Sequence, residues 1–260
     1  MIQRLRTIVQ LLQQDESIEA TDYPGLDALC LSLTKFVDHR DKEVRLYTVA
    51  ACMELFAIYA PDAPWGTEDT LNIFRQTIRQ LANLAHCLSG GNFFHVYTRI
   101  LELLAEVKIG VVLVDLAKEQ ACEEQDDEEE NDDNALQVLA ELFRTVLQSV
   151  RNEHPHEVLE LVQKTVSACL EEYYDGAVIP IPLLDELLVC IGQGEFHLYL
   201  ERSLVFACCA PSKKNTSITH KLLSFQVQPV LLPTRTRPPH ENPKRNCHSI
   251  KSNKIIHRIL

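Results

Sequence analysis

The segment Tyr59-Ala60-Pro61-Asp62-Ala63-Pro64-Trp65 gathers the residue types from which a peptide-docking edge is built. Two prolines stiffen a turn, because each ring fixes φ and removes an amide donor. An acid stands between them and an aromatic stands on each side. Aromatic side chains give large contact area and are enriched where binding energy concentrates. In this reading Asp62 accepts a hydrogen bond from a basic or amide group and Trp65 supplies an apolar anchor. The competing expectation is that Trp65 only plugs the turn between two helices. Tyr59, Asp62 and Trp65 are the candidate partner-binding residues.

Other chemistry-bearing groups read as structural. Asp41, three residues before Val44, suits a helix N-cap, and Arg45 suits a ladder partner between successive repeats. His154-Pro155-His156 has metal-ligating side chains, but no Cys or carboxylate cluster accompanies it at ligand spacing; Pro155 instead suits a first helical turn. The run from Glu123 to Asp133 holds nine acids among eleven residues and cannot bury itself. No P-loop, G-x-G-x-x-G, G-x-S-x-G or H-E-x-x-H occurs, and Gly is scarce at 8 residues. No enzyme activity, no cofactor, no metal and no small-molecule substrate are expected.

The elements that must hold these residues are helical. Leu26, Leu29, Leu33, Phe36 and Val37 follow helical spacing. So do Val44 through Tyr59, Leu71 through Ala85, Val96 through Val107, Leu136 through Val150, and Val158 through Leu170. Two shorter runs, 183–191 and 197–206, follow. The stretch Ile109 to Leu116 fits a buried strand or a helix; without a partner strand in sight the helix is preferred. Pro61 and Pro64 stop one helix, and Ser89-Gly90-Gly91 breaks the next pair. Hairpins starting near residues 24, 69, 134 and 180 give intervals of about 45, 65 and 46 residues. Setting aside an acidic insertion at about 119–133 brings the middle interval to about 50, close to the period of HEAT and armadillo arrays. The fold expected is all-α, a HEAT/armadillo-like α-solenoid of stacked helical hairpins, with an irregular bundle as the alternative.

Charge divides the chain in the same way. Residues 1–210 carry 15 Lys/Arg and 36 Asp/Glu, a net of −21, whereas residues 211–260 carry 10 Lys/Arg and one acid, Glu241, a net of +9. The first part is read as the helical repeat region and the second as a basic, Pro-containing disordered tail. An acidic body repels a phosphate backbone, which disfavours direct duplex binding. The 9 Cys have no C-x-x-C spacing, and most lie on apolar helix faces as reduced thiols of a cytosolic or nuclear protein. No run approaches the roughly 18 apolar residues of a membrane span, and Met1-Ile2-Gln3-Arg4-Leu5-Arg6 does not open a secretory leader.

With those motifs in place, the chain resembles the N-terminal HEAT region of the Pds5 family of sister-chromatid cohesion proteins. His39-Arg40-Asp41-Lys42-Glu43-Val44-Arg45 and the Ala60-Pro61-Asp62-Ala63-Pro64 turn are similar to that family's helix start and turn. Leu71-Asn72-Ile73-Phe74, the Leu101 to Lys108 segment, Val112 to Leu116, Leu142 to Thr145 and Asn152 to Val158 continue in register. The similarity spans about residues 5–196. Ala57 stands where the family usually has Arg, and Trp65 where it has Tyr or Phe. The resemblance implies a nuclear, chromatin-associated scaffold. Its partners would be the cohesin complex, through its kleisin subunit, and the release and acetylation factors that regulate cohesin. The alternative from another class is a cytoplasmic HEAT-type adaptor for transport or assembly.

Overall fold

The computed structural model describes residues 1–14, 25–123, 134–151, 153–174 and 179–192. The regular elements among them are helices: α1 (Ile2–Gln14), α2 (Leu26–Leu33), α3 (Lys42–Tyr59), α4 (Thr67–Leu81), α5 (Phe94–Glu106), α6 (Val111–Glu123), α7 (Ala135–Ser149), α8 (His156–Tyr174) and α9 (Ile181–Gly192). Short 3-10 turns at Thr34–Phe36 and Ala82–His86 extend α2 and α4. The run 197–206, the tail 211–260 and residues 124–133 of the acidic segment lie outside the described residues.

Contacts sort the helices into two layers. α1, α3, α5 and α8 pack in succession in one layer; α4, α7 and α9 do so in the other, with α2 against α3. Successive helices alternate between layers, which is the arrangement of a helical-repeat solenoid, where each unit buries its apolar face against its neighbours. Helix α6 interrupts the alternation and packs on α7 and α8. Of the stretch 109–116, residues 109–110 form a turn and the rest is helix from Val111, so the long middle interval contains a whole extra helix. Of the acidic insertion expected over about 119–133, residues 119–123 belong to α6, where Ala117 is buried and Lys118 donates to the Glu172 carbonyl at 2.9 Å.

Helix α3 is the hub. Every residue from Leu46 to Phe56 is buried, since α1, α4 and α5 cover it from three sides. Its start follows the expected chemistry: Asp41 Oδ1 accepts from the amides of Glu43 at 2.9 Å and Val44 at 3.1 Å. Arg45 departs from the expected ladder. Its guanidinium donates to the carbonyls of His39 at 2.7 Å and Arg40 at 3.2 Å, locking the turn that precedes its own helix. The link to the next hairpin runs instead through Asp38, whose carboxylate accepts from Asn72 Nδ2 at 2.8 Å and from Gln76 Nε2.

Two further features position the layers. Glu54 on α3 is almost fully buried, and its carboxylate accepts from Arg99 of α5 at 2.8 and 3.0 Å and from Gln13 of α1 at 2.9 Å. One acid thereby ties three helices. Between α5 and α6, Lys108 takes a φ of 60° and reverses the chain. At Gly110 a Cβ would meet Cys169 Sγ at 2.9 Å, so only Gly lets α6 approach α8 this closely.

Candidate partner-docking turn

The turn after α3 is built from both sides. Ala60 leaves helical geometry at φ −50°, ψ 137°, as a residue before proline must, and the Ala60–Pro61 bond is cis. The Asp62 amide donates to the Tyr59 carbonyl at 3.1 Å, closing the bend. Gly66 then opens α4, whose Thr70 hydroxyl donates to the Trp65 carbonyl at 3.3 Å.

The three candidate residues part company in space. Trp65 turns inward and is 8% exposed. Its indole N–H donates to the Cys30 carbonyl of α2 at 3.3 Å, and its ring meets Phe56 edge-on at 4.8 Å; Phe56 in turn touches Phe74 at 5.4 Å. Trp65 therefore joins α2, α3 and α4 through one side chain. Tyr59 is half-buried, and its hydroxyl donates to Asp27 on α2. Burial and that hydrogen bond hold its phenol above the usual range. Pro61 and Asp62 are exposed. The surface presented to solvent is thus a carboxylate beside a proline, flanked by the Tyr59–Asp27 pair and held from beneath by Trp65. Such an edge can accept hydrogen bonds from a cationic or amide donor.

Other polar groups are accounted for by packing. His154 is buried; its Nδ1 accepts from the Arg151 amide at 3.1 Å, and its Nε2 meets the Cys87 carbonyl at 3.2 Å. Among the described residues no group of three His, Cys, Asp or Glu is placed to hold a metal ion. A cleft of about 810 Å³ opens between α1 and α5 over α3. Its cations are paired within the protein: Arg6 with Glu43 at 3.2 Å, stacked 4.9 Å from the Tyr47 ring, and Arg99 with Glu54 and Glu102. Among the described cysteines, Cys30, Cys52 and Cys169 are buried, and burial raises all three thiols, Cys30 to about 11 and Cys169 to about 12. No described helix is long and apolar enough to cross a membrane.

Comparison with known proteins fits this architecture. The family model described as sister chromatid cohesion protein PDS5 matches residues 1–227, a longer region than the 5–196 read from the motifs. The PDS5 homolog B-B of Xenopus laevis is 31% identical over 202 residues, covering 76% of this chain and 12% of the relative. The human PDS5 homolog A is 31% identical over 193 residues, covering 73% and 13%. The Arabidopsis thaliana PDS5 homolog E is 26% identical over 195 residues, covering 74% and 17%. The chain thus spans less than a fifth of the length of these relatives. Among solved structures, a chain from a study titled as the Pds5-Scc1 complex superposes with a TM-score of 0.54 at 21% identity, covering 72% of this chain and 24% of that one. The two-layer helical stack and the family match over most of its length agree: this chain belongs to the PDS5 family of sister chromatid cohesion proteins.

Proposed function

We propose that this protein is a non-enzymatic, nuclear scaffold of sister chromatid cohesion, associated with cohesin through its kleisin subunit. The observation that carries the reading is the family match over residues 1–227. The structural neighbour, a complex of Pds5 with Scc1, supports a kleisin as the partner class. A stack of helical hairpins offers long surfaces suited to extended segments of other chains. Within that reading the chain exchanges cohesin release and acetylation factors, and the Asp62 edge is one docking point. Asp62 accepts from a basic or amide side chain of the incoming peptide and Tyr59 flanks it. Trp65 acts by holding the turn rigid.

Two measurements test this. A pull-down from nuclear extract should recover cohesin subunits; transport or assembly factors in their place would favour the cytoplasmic adaptor. Asp62→Lys should weaken a cohesin-associated peptide by more than about 1 kcal/mol, roughly fivefold, since charge reversal adds repulsion to the lost bond. The fold should survive, because Asp62 is exposed. Equal affinity with intact circular dichroism would return the turn to a helix stop with an aromatic plug.

A further inference from the structure

A polar cleft of about 530 Å³ opens between the start of α3, the last turns of α4 and the start of α5. It lies at the opposite end of the α3–α4 hairpin from the Asp62 turn; the 18 residues of α3 separate the two by about 25 Å. Its acids are already engaged. Asp38 accepts from Asn72 and Gln76, and Glu43 pairs with Arg6 at 3.2 Å. Its cations are not. The side chains of Lys42 and Arg79 are exposed and make no ion pair or hydrogen bond among the described residues. Arg45 stands beside them, with Nη1 alone bound to the carbonyls of the preceding turn.

Two buried polar side chains complete the wall. Gln80 and Tyr97 are 5% and 6% exposed and both line the cleft. Among the described residues, neither the Gln80 carboxamide nor the Tyr97 hydroxyl has a hydrogen-bond partner, and neither is sealed from solvent. Polar groups on buried side chains are ordinarily paired; here that capacity faces the cleft. Burial holds the Tyr97 phenol above its usual range, so it remains a donor. Leu46 and the half-buried Phe93 supply the apolar part of the lining.

The charge of the surrounding chain selects the ligand. Residues 1–210 carry 15 Lys/Arg against 36 Asp/Glu, a field that repels nucleic acid and other polyanions. Two unpaired cations match a single carboxylate instead. A carboxamide and a phenol can bond the peptide group beside it, and Phe93 offers a surface for packing. We propose that this cleft binds an extended, carboxylate-bearing segment of another protein chain. Lys42 and Arg79 meet its Asp or Glu side chain, and Gln80 and Tyr97 bond the neighbouring peptide group. The site uses none of the residues of the Asp62 edge and does not depend on the cohesion reading.

The probe is a set of immobilised random peptide libraries, identical except for one central position that holds Glu, Gln or phosphoserine. The Glu library should retain the full native chain about fivefold better than the Gln library. Lys42→Ser combined with Arg79→Ser should abolish that preference. Both side chains are exposed, so circular dichroism should show an intact fold. Lys35→Ser, which removes an exposed cation outside the cleft, should leave the preference in place. Tyr97→Phe removes only the hydroxyl and should lower retention on the Glu library about threefold while keeping the preference for Glu over Gln. Equal retention of the native chain on the Glu and Gln libraries would overturn the proposal. So would a Glu preference that persists in the double variant, which would move the contact elsewhere, to the basic residues of 211–260 for example. Stronger retention on phosphoserine, competed away by inorganic phosphate, would make this a phosphate site and refute the carboxylate assignment. None of these outcomes involves Asp62 or cohesin, so failure here leaves the cohesion reading to its own tests.

Discussion

Replacing Arg99 by Ala should destabilise the protein far more than its partly exposed position suggests. The side chain of Glu54 is 4% exposed, and Arg99 supplies two of its three hydrogen bonds, at 2.8 and 3.0 Å. Without Arg99 the carboxylate keeps, among the described residues, only the Gln13 amide, at 2.9 Å. Breaking a buried pair from one side costs about 3–5 kcal/mol, because it strands a charge away from water. The Arg99 side chain is 37% exposed, so water enters the space it vacates and reduces the penalty; about 2–4 kcal/mol is expected. The carboxylate is the source of that cost. Arg99→Leu combined with Glu54→Leu, which removes both charges, should therefore stay within about 1–2 kcal/mol of the native protein. Urea unfolding of Arg99→Leu, Glu54→Leu and their double mutant gives the coupling energy, expected at about 1.5–3 kcal/mol. An Arg99→Ala cost below about 0.5 kcal/mol, or strictly additive mutants, would refute the idea that this acid is held by its partner.

Leu103 and Phe143 are 3% and 0% exposed, so truncating either to Ala should cost about 2–5 kcal/mol by thermal or urea unfolding. Gly110→Ala should cost about 1–3 kcal/mol through overpacking against Cys169, and Cys169→Ala in the same chain should recover part of it. Stability should fall as pH rises above about 9. The buried thiols Cys30, Cys52 and Cys169 have raised folded pKa values, so they hold protons that the unfolded chain releases. Stability is then full below the unfolded pKa and declines toward the folded values, by at most about 1.4 kcal/mol per thiol per pH unit. Cys169→Ala should flatten that decline between about pH 9 and 12; an unchanged slope would place the alkaline transition elsewhere.

Much of this architecture is legible in the residues because it depends on local spacing. The stripes from Val44 to Tyr59 and from Leu136 to Val150 repeat every three or four residues over several turns, and the helices fall there. The Asp41 cap is legible for the same reason: acceptor and amides lie within three residues. Helix α1 carries an equally plain signal, Leu5, Val9 and Leu12 at i, i+4 and i+7, all buried. Glu54 gave no signal at all. It is a polar residue on an apolar helix, and its partners lie 41 and 45 positions away, so only the folded chain brings them together. Arg45 failed differently: carbonyls five and six residues upstream lie within reach and hold the guanidinium before any neighbouring repeat can. At the docking turn the residue types were readable, but the direction of Trp65 was not. A side chain just past two prolines has no periodicity to assign it a face, and tertiary packing against Cys30 and Phe56 decided it.

Trp65 is the sole tryptophan in the chain. Every photon of indole emission therefore originates where α2, α3 and α4 meet, from a ring shielded from water. Emission should be blue-shifted in the native state and move red when that first hairpin loosens, whatever happens at the far end of the stack. Comparing this optical signal with far-ultraviolet ellipticity, which averages over all helices, separates fraying of one end of the solenoid from concerted melting. Because the fluorophore lies three positions from Asp62, a peptide settling on the turn without displacing the indole should leave the colour of the emission unaltered, whereas one that pries the ring outward should redden it.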